Sequence, residues 1–129
     1  MNKGEVCKEI SKINNYLEKC LWMDFEFALM NYNNIVAAGR IDTSLNDFAI
    51  NIDFGRPFYI STLLSWQLDD SKPFIELVTG DEKWTIIDKY QVERGNYIFK
   101  INAEGFETAP ILIASQSIKC EIVNKYPFE

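Results

Sequence analysis

Asp47-Phe48-Ala49-Ile50-Asn51-Ile52-Asp53-Phe54, followed by Gly55-Arg56-Pro57 and Phe58-Tyr59-Ile60-Ser61-Thr62-Leu63-Leu64, is the stretch whose reading decides the fold. Phe48, Ile50, Ile52 and Phe54 alternate with Asp47, Asn51 and Asp53, so an extended chain places four large apolar groups on one face and polar groups on the other. The pattern predicts a half-buried strand over 47–54. Gly55-Arg56-Pro57 reads as a turn, and because Pro57 has no N–H for a ladder, a second strand is expected to start after it.

Outward from this hairpin, the same period recurs. Met23, Phe25, Phe27 and Leu29 alternate with Asp24, Glu26, Ala28 and Met30; Asn31-Tyr32-Asn33-Asn34 is a turn cluster, and 35–41 is the return strand, in which Gly39 marks a bulge or a close approach. Asp42-Thr43-Ser44-Leu45-Asn46 loops into the central stretch. Further strands are expected over 74–79, 84–87, 97–102, 111–114 and 117–123, with Gly80-Asp81 as a turn and 90–96 as a loop or short edge strand. Before Trp22 the period differs: Val6, Ile10, Ile13, Leu17 and Leu21 recur at spacings of three and four, which predicts an amphipathic helix over 4–20. Asn2 and Glu5 have the spacing of a capping box.

The expected architecture is therefore α+β and mostly β. One N-terminal helix packs on an antiparallel sandwich or partly open barrel of about eight strands, in a single domain over 1–129 with its β part over 22–123. Parallel topology lacks the crossover helices it would need.

Composition narrows the chemistry. The 129 residues carry 19 acids against 13 bases, a formal charge of −6, and no histidine. Without histidine, the commonest general base and the usual metal ligand are missing, and Ser-His-Asp and Cys-His arrangements are excluded. No window concentrates cations, so direct nucleic-acid binding is not expected. No segment approaches the ~18 apolar residues of a membrane span, and the first residues lack a signal-peptide core, which places the protein in a cytoplasm. Cys7, Cys20 and Cys120 are an odd set with no close pairing motif, expected to be free, reduced and largely buried, with neither metal nor cofactor.

The carboxylate pairs Asp69-Asp70 and Asp81-Glu82 have the residue types of a glycosidase, but adjacent loop acids are more commonly solvated charges than a tuned pair. Trp66 stands in the polar connection beside Asp69 and Asp70, and Trp84 follows Asp81-Glu82-Lys83. A loop tryptophan among acids has the composition of an interface hot spot, and the bland alternative for Trp66 is that it folds back over the barrel end. Trp66, Asp69, Asp70, Asp81, Glu82 and Trp84 are accordingly the candidate partner-binding residues.

Gly39-Arg40-Ile41-Asp42-Thr43-Ser44, the strand 48–54, Tyr59-Ile60-Ser61 and Ser71-Lys72-Pro73-Phe74 resemble a group of small bacterial proteins. Those are similar in size, acidity and β content to immunity proteins of contact-dependent and other polymorphic toxin systems. The resemblance implies a cytoplasmic, non-enzymatic protein that binds a cognate toxin domain, often a basic nuclease, and blocks its active site or substrate path. It carries over no functional residue, because the matching positions are structural. The alternative from another class is a small-molecule binder or enzyme using the mouth of a β-barrel.

Overall fold

The computed structural model describes residues 1–42, 44 and 47–128. The elements in chain order are α1 (Lys3–Glu18), β1 (Asp24–Met30), β2 (Asn34–Arg40), β3 (Ile50–Ser61), β4 (Ser65–Gln67), β5 (Ile75–Leu77), α2 (Gly80–Tyr90), β6 (Tyr97–Ile101) and β7 (Ile111–Ile122). All strands join one seven-stranded antiparallel sheet in the order β4-β1-β2-β3-β7-β6-β5, curled into a half-barrel. The sandwich alternative is thus replaced by a single curled sheet, close to the partly open barrel.

One expected hairpin and one expected pair of strands are instead single long strands. Gly55-Arg56-Pro57 does not turn the chain back; it lies inside the 12-residue β3, whose register with the 12-residue β7 shifts between Pro57 and Tyr59. Arg56 takes a left-handed φ of 49°, and its N–H donates to the Asn33 carbonyl at 2.8 Å, so the chain keeps its pairing while it bends. A bulge is where a strand tolerates proline, because the lost donor falls at a break in the ladder. Gly55 faces Ser117 so closely that a Cβ would stand 2.2 Å from its Oγ. On β7 the core-facing residues run Ile111, Ile113, then Ile118 and Cys120, so the alternation slips by one residue across Ser115-Gln116-Ser117. The expected strands 111–114 and 117–123 are the two limbs of this bent strand.

The concave face is filled by α1. Val6, Ile13, Tyr16 and Leu17 are buried against Ile52, Phe54, Ile75, Phe99, Ile101, Ile113 and Ile118. The capping box forms as expected, with the Glu5 N–H donating to Asn2 Oδ1 at 2.9 Å and the Asn2 N–H to Glu5 Oε1 at 3.0 Å. Polar contacts also fix the helix across the curl. Asn14 Nδ2 donates to the Ile75 carbonyl (2.9 Å) and Asn14 Oδ1 accepts from the Ile75 N–H (3.1 Å), while Lys12 Nζ donates to the Cys120 carbonyl (3.0 Å). At the far side of the sheet, Gly39 is the close approach expected of it: a Cβ there would lie 2.8 Å from Met23 Cγ and from Phe25 Cε1. Phe48 departs from the expected face; it is half-buried, beneath the Arg40 guanidinium at 4.4 Å from the ring centre.

The segment expected to be a turn and a strand at 80–87 is α2. Thr85, Ile86 and Ile87 have strand preference, yet Asp81 and Glu82 favour a helix N-terminus, Lys89 sits in the last turn and Gln91 closes it with φ 52°. Burial decides between the two. Ile86, with Ile87 and Tyr90 beside it, packs with Val78, Val92, Ile98, Ala114 and Leu112 in a second cluster. Ile98 and Leu112 belong to this cluster, and their neighbours Phe99, Ile111 and Ile113 to the α1 cluster, so the two helices lie on opposite faces of the sheet. The loop expected over 42–46 includes Thr43, Leu45 and Asn46, which lie outside the described residues, as does Glu129 of the tail.

The cysteines are free; Cys20 and Cys120 are buried but Cys7 is exposed. Burial pushes both inner thiols up to about 11 and the Tyr16 phenol up to about 12. These groups are therefore neutral in the fold.

Ile13→Asp is expected to lose roughly 4 kcal/mol or more through an unpaired charge against the sheet, measured by urea denaturation. In the native protein only Cys7 should react with a thiol reagent, and three alkylations should appear on unfolding without reductant; slow or absent labelling of Cys7 would contradict its exposure. The raised thiol and phenol values also give a sign. Between about pH 9 and 12 the folded chain holds more protons than the unfolded one, so stability is full below pH 9 and falls as pH climbs through that window. A urea midpoint that stays level to pH 11 would contradict this.

Candidate functional site

Trp66 is not a surface anchor. It lies in β4 opposite Phe25, its ring stacked on Phe25 at 5.6 Å and tilted against Phe27 at 5.3 Å, with 4% of its surface exposed. The short β4 strand exists because this indole joins the aromatic group of Phe25 and Phe74 in the core. The fold-back alternative for Trp66 is the one realised.

Asp69 and Asp70 follow β4 in the connection to β5. Asp69 is buried and accepts from the Ser71 N–H (2.9 Å) and Ser71 Oγ (2.6 Å), and these two bonds hold its carboxyl below the usual range. It shapes the turn. Asp70 is exposed, on the rim of two adjoining clefts. Asp81, Glu82 and Trp84 stand apart from these clefts, on α2. Trp84 is 62% exposed, and Glu82 approaches Lys100 at 3.5 Å. The six sequence candidates thus fall into a core residue, a turn that borders a cleft, and a separate helix.

The clefts are made by the way the curl nearly closes. Beyond β4, Leu68 bridges to Ala103, the Leu68 N–H donates to the Met23 carbonyl at 2.9 Å, and the Glu104 N–H donates to the Gln67 carbonyl at 3.1 Å. This brings the end of α1, the start of β1, the 68–74 connection and the 103–106 loop together. One cleft of about 280 Å³ lies between Asn14, Leu17 and Glu18 of α1 and residues 68–74. A second, also about 280 Å³, shares Leu68 and Asp70 with it and adds Leu21, Trp22, Asp24 and Glu104. A third, about 440 Å³, shares Asp24, Gln67 and Glu104 with the second and runs on to Glu26, Arg40 and Phe106.

The charge of this line is one-sided. Glu26 forms an ion pair with Arg40, whereas Glu18, Asp24, Asp70 and Glu104 have no ion pair or side-chain hydrogen bond among the described residues. Lys72 and Arg40 are the cations lining it. Within it, Trp22 is 54% exposed and held in place: its Nε1 donates to the Ile41 carbonyl at 2.9 Å, and Phe128 meets its ring edge-on at 4.7 Å. An ordered, half-exposed indole loses little freedom on binding, which makes it a better anchor than a mobile side chain.

Sequence reasoning missed Trp22, although its signal was there. Met23, Phe25 and Phe27 pack in the core, and Trp22, just before β1, lines a cleft with Asp24. Glu104 had no such signal, because its place depends on the Leu68–Ala103 bridge.

Chemically, open clefts lined by carboxylates can hold cationic side chains of a partner. No group of three or more potential metal ligands occurs among the described residues, and no helix among them is long and apolar enough to cross a membrane. Comparisons with protein-family models, curated proteins and solved structures found no match.

Trp66→Ala should lower stability by about 3–5 kcal/mol, as expected for removing a buried aromatic, whereas Asp70→Asn should leave the melting temperature within a degree. Thermal unfolding followed by circular dichroism checks both, and an unchanged Trp66→Ala melt would contradict the stacked position of the indole.

Proposed function

We propose that this chain is a non-enzymatic, cytoplasmic protein-binding module of the immunity type, which neutralises a cognate toxin domain by offering its acidic clefts to a basic surface of that domain. The reading is carried by one observation. The carboxylates of Glu18, Asp24, Asp70 and Glu104, without partners among the described residues, line adjoining clefts beside the fixed, half-exposed Trp22. Concentrated negative charge draws a basic domain and raises the association rate, while a tryptophan anchor supplies apolar contact that slows dissociation. A nuclease-type toxin fits because enzymes that hold a phosphate backbone carry cationic surfaces.

The interior also favours this over small-molecule binding. The hollow of the half-barrel, where a barrel-mouth ligand would sit, is filled by α1, with Val6 and Ile13 buried to 0% exposure.

The test is binding kinetics against the toxin domain encoded beside this chain. The double reversal Asp70→Lys and Glu104→Lys should slow association at least tenfold at low salt and flatten its salt dependence, and Trp22→Ala should speed dissociation about 30-fold, the equivalent of ~2 kcal/mol. Unchanged rates in both would place the interface elsewhere. Absence of binding by the parent protein would remove the reading altogether.

A further inference from the structure

Of the two exposed tryptophans, one is held and the other is not. The ring of Trp84, 62% exposed on α2, has no hydrogen bond or ring contact among the described residues, whereas that of Trp22, 54% exposed, has both. Trp22 lies in the connection between α1 and β1, where neither helix nor ladder orients its side chain. Its two contacts come from distant parts of the chain: the Ile41 carbonyl, just past β2, and the ring of Phe128, beyond the end of β7.

The segment 123–128 reaches Trp22 by a defined route. The N–H groups of Val123 and Asn124 both donate to the Ala49 carbonyl, at 2.8 and 3.0 Å, and the Asn124 carbonyl accepts from the hydroxyl of the buried Tyr16 on α1. Asn124 Oδ1 then accepts from the Tyr126 N–H at 3.2 Å, an Asx turn that redirects the chain, and Phe128 comes to rest half-buried against the main core cluster. The segment is thereby fastened at Asn124 and again at Phe128. Of the two contacts on Trp22, the hydrogen bond is exposed, and an exposed bond exchanges with water for little net gain. The Phe128 ring, edge-on at 4.7 Å and 76°, is the contact that water cannot replace.

We infer that residues 123–128 form a strap that sets the pose of Trp22, with Phe128 as the positioning residue; the consequence for binding rests on the function proposed above. A ring held in one pose before the partner arrives gives up less freedom on docking. Phe128 therefore acts through Trp22 rather than on the partner itself.

The free protein supplies the first test. Hydrogen exchange at the indole N–H groups is followed by nitrogen-resolved NMR of the full chain, with Trp22→Phe identifying the Trp22 signal. In the parent, that N–H should exchange more slowly than the one of Trp84. Phe128→Ala should raise its rate about tenfold, Phe128→Tyr, which keeps the ring, should restore it, and Asn124→Ala, which removes only the turn, should raise it by less. An unchanged rate in both alanine variants would overturn the strap. Against the toxin domain of the binding test, Phe128→Ala should leave association alone and speed dissociation about fivefold. Added to Trp22→Ala it should cost nothing further, because a residue that acts through another has no effect once that other is gone. Additive losses would overturn the positioning role. A parent that binds no partner would remove the proposed function, and the exchange rates of the free protein would still decide the strap.

Discussion

The paired bends of β3 and β7 are the constraint on which the rest of this structure depends. Two 12-residue strands run antiparallel through the centre of the sheet, and both change course at the same level, where Gly55-Arg56-Pro57 meets Ser115-Gln116-Ser117. A flat seven-stranded sheet could not wrap one helix. The bend supplies a hollow that a single 16-residue helix fills, and it carries the sheet ends round until Leu68 reaches Ala103. The tight contact of Gly55 on Ser117 shows how little room the bend leaves for any side chain at that point.

From that curvature comes the division of labour between the faces. The concave side takes α1 and the buried aromatics Tyr16, Phe25, Phe54, Trp66, Phe74 and Phe99, while the convex side is covered by α2 only over Val78, just after β5, and Ile98, Leu112 and Ala114 of β6 and β7. Where α2 stops, the outer face of β1, β2, β3 and β7 shows polar and charged groups such as Glu26, Asn51, Asp53, Lys119 and Glu121. One sheet thus has both faces buried at one end and a single face buried at the other. The clefts lie at the seam where the curl almost closes, lined by the 68–74 connection and the 103–106 loop together with residues of α1, β1 and β4.

The contrast between Trp22 and Trp66 shows what burial does to the meaning of a residue type. Both stand near acids in the sequence, and the polar surroundings of Trp66 made it the more surface-like of the two. Contact with the rings of Phe25 and Phe27 takes Trp66 into the core, while Trp22, beside the buried Met23 just before β1, stays half-exposed. A neighbour in sequence is a weak guide to a neighbour in space when the chain between them is a strand, because adjacent side chains face opposite ways.

What the amino-acid sequence determined by itself were the properties set by local period and by composition: the capped N-terminal helix, the antiparallel strands around Ile50, Ile52 and Phe54, the close approach at Gly39, the absence of histidine chemistry and the acidic balance. These depend on a few consecutive residues, so no distant contact was needed to read them. What only the tertiary structure decided was where the chain bends instead of turning, whether Gly80–Tyr90 is helix or strand, and which acids come together. A glycine and a proline in β3 are compatible with a hairpin or a bulge, and β7, running unbroken alongside, selects the bulge. Thr85-Ile86-Ile87 suits a strand by propensity, but the apolar cluster on the back of β6 and β7 has to be covered, and a helix placing Ile86 and Tyr90 one turn apart covers it. The clefts join residues from separate parts of the chain, and their meeting depends on a sheet closing through long-range contacts that no local stretch of sequence records.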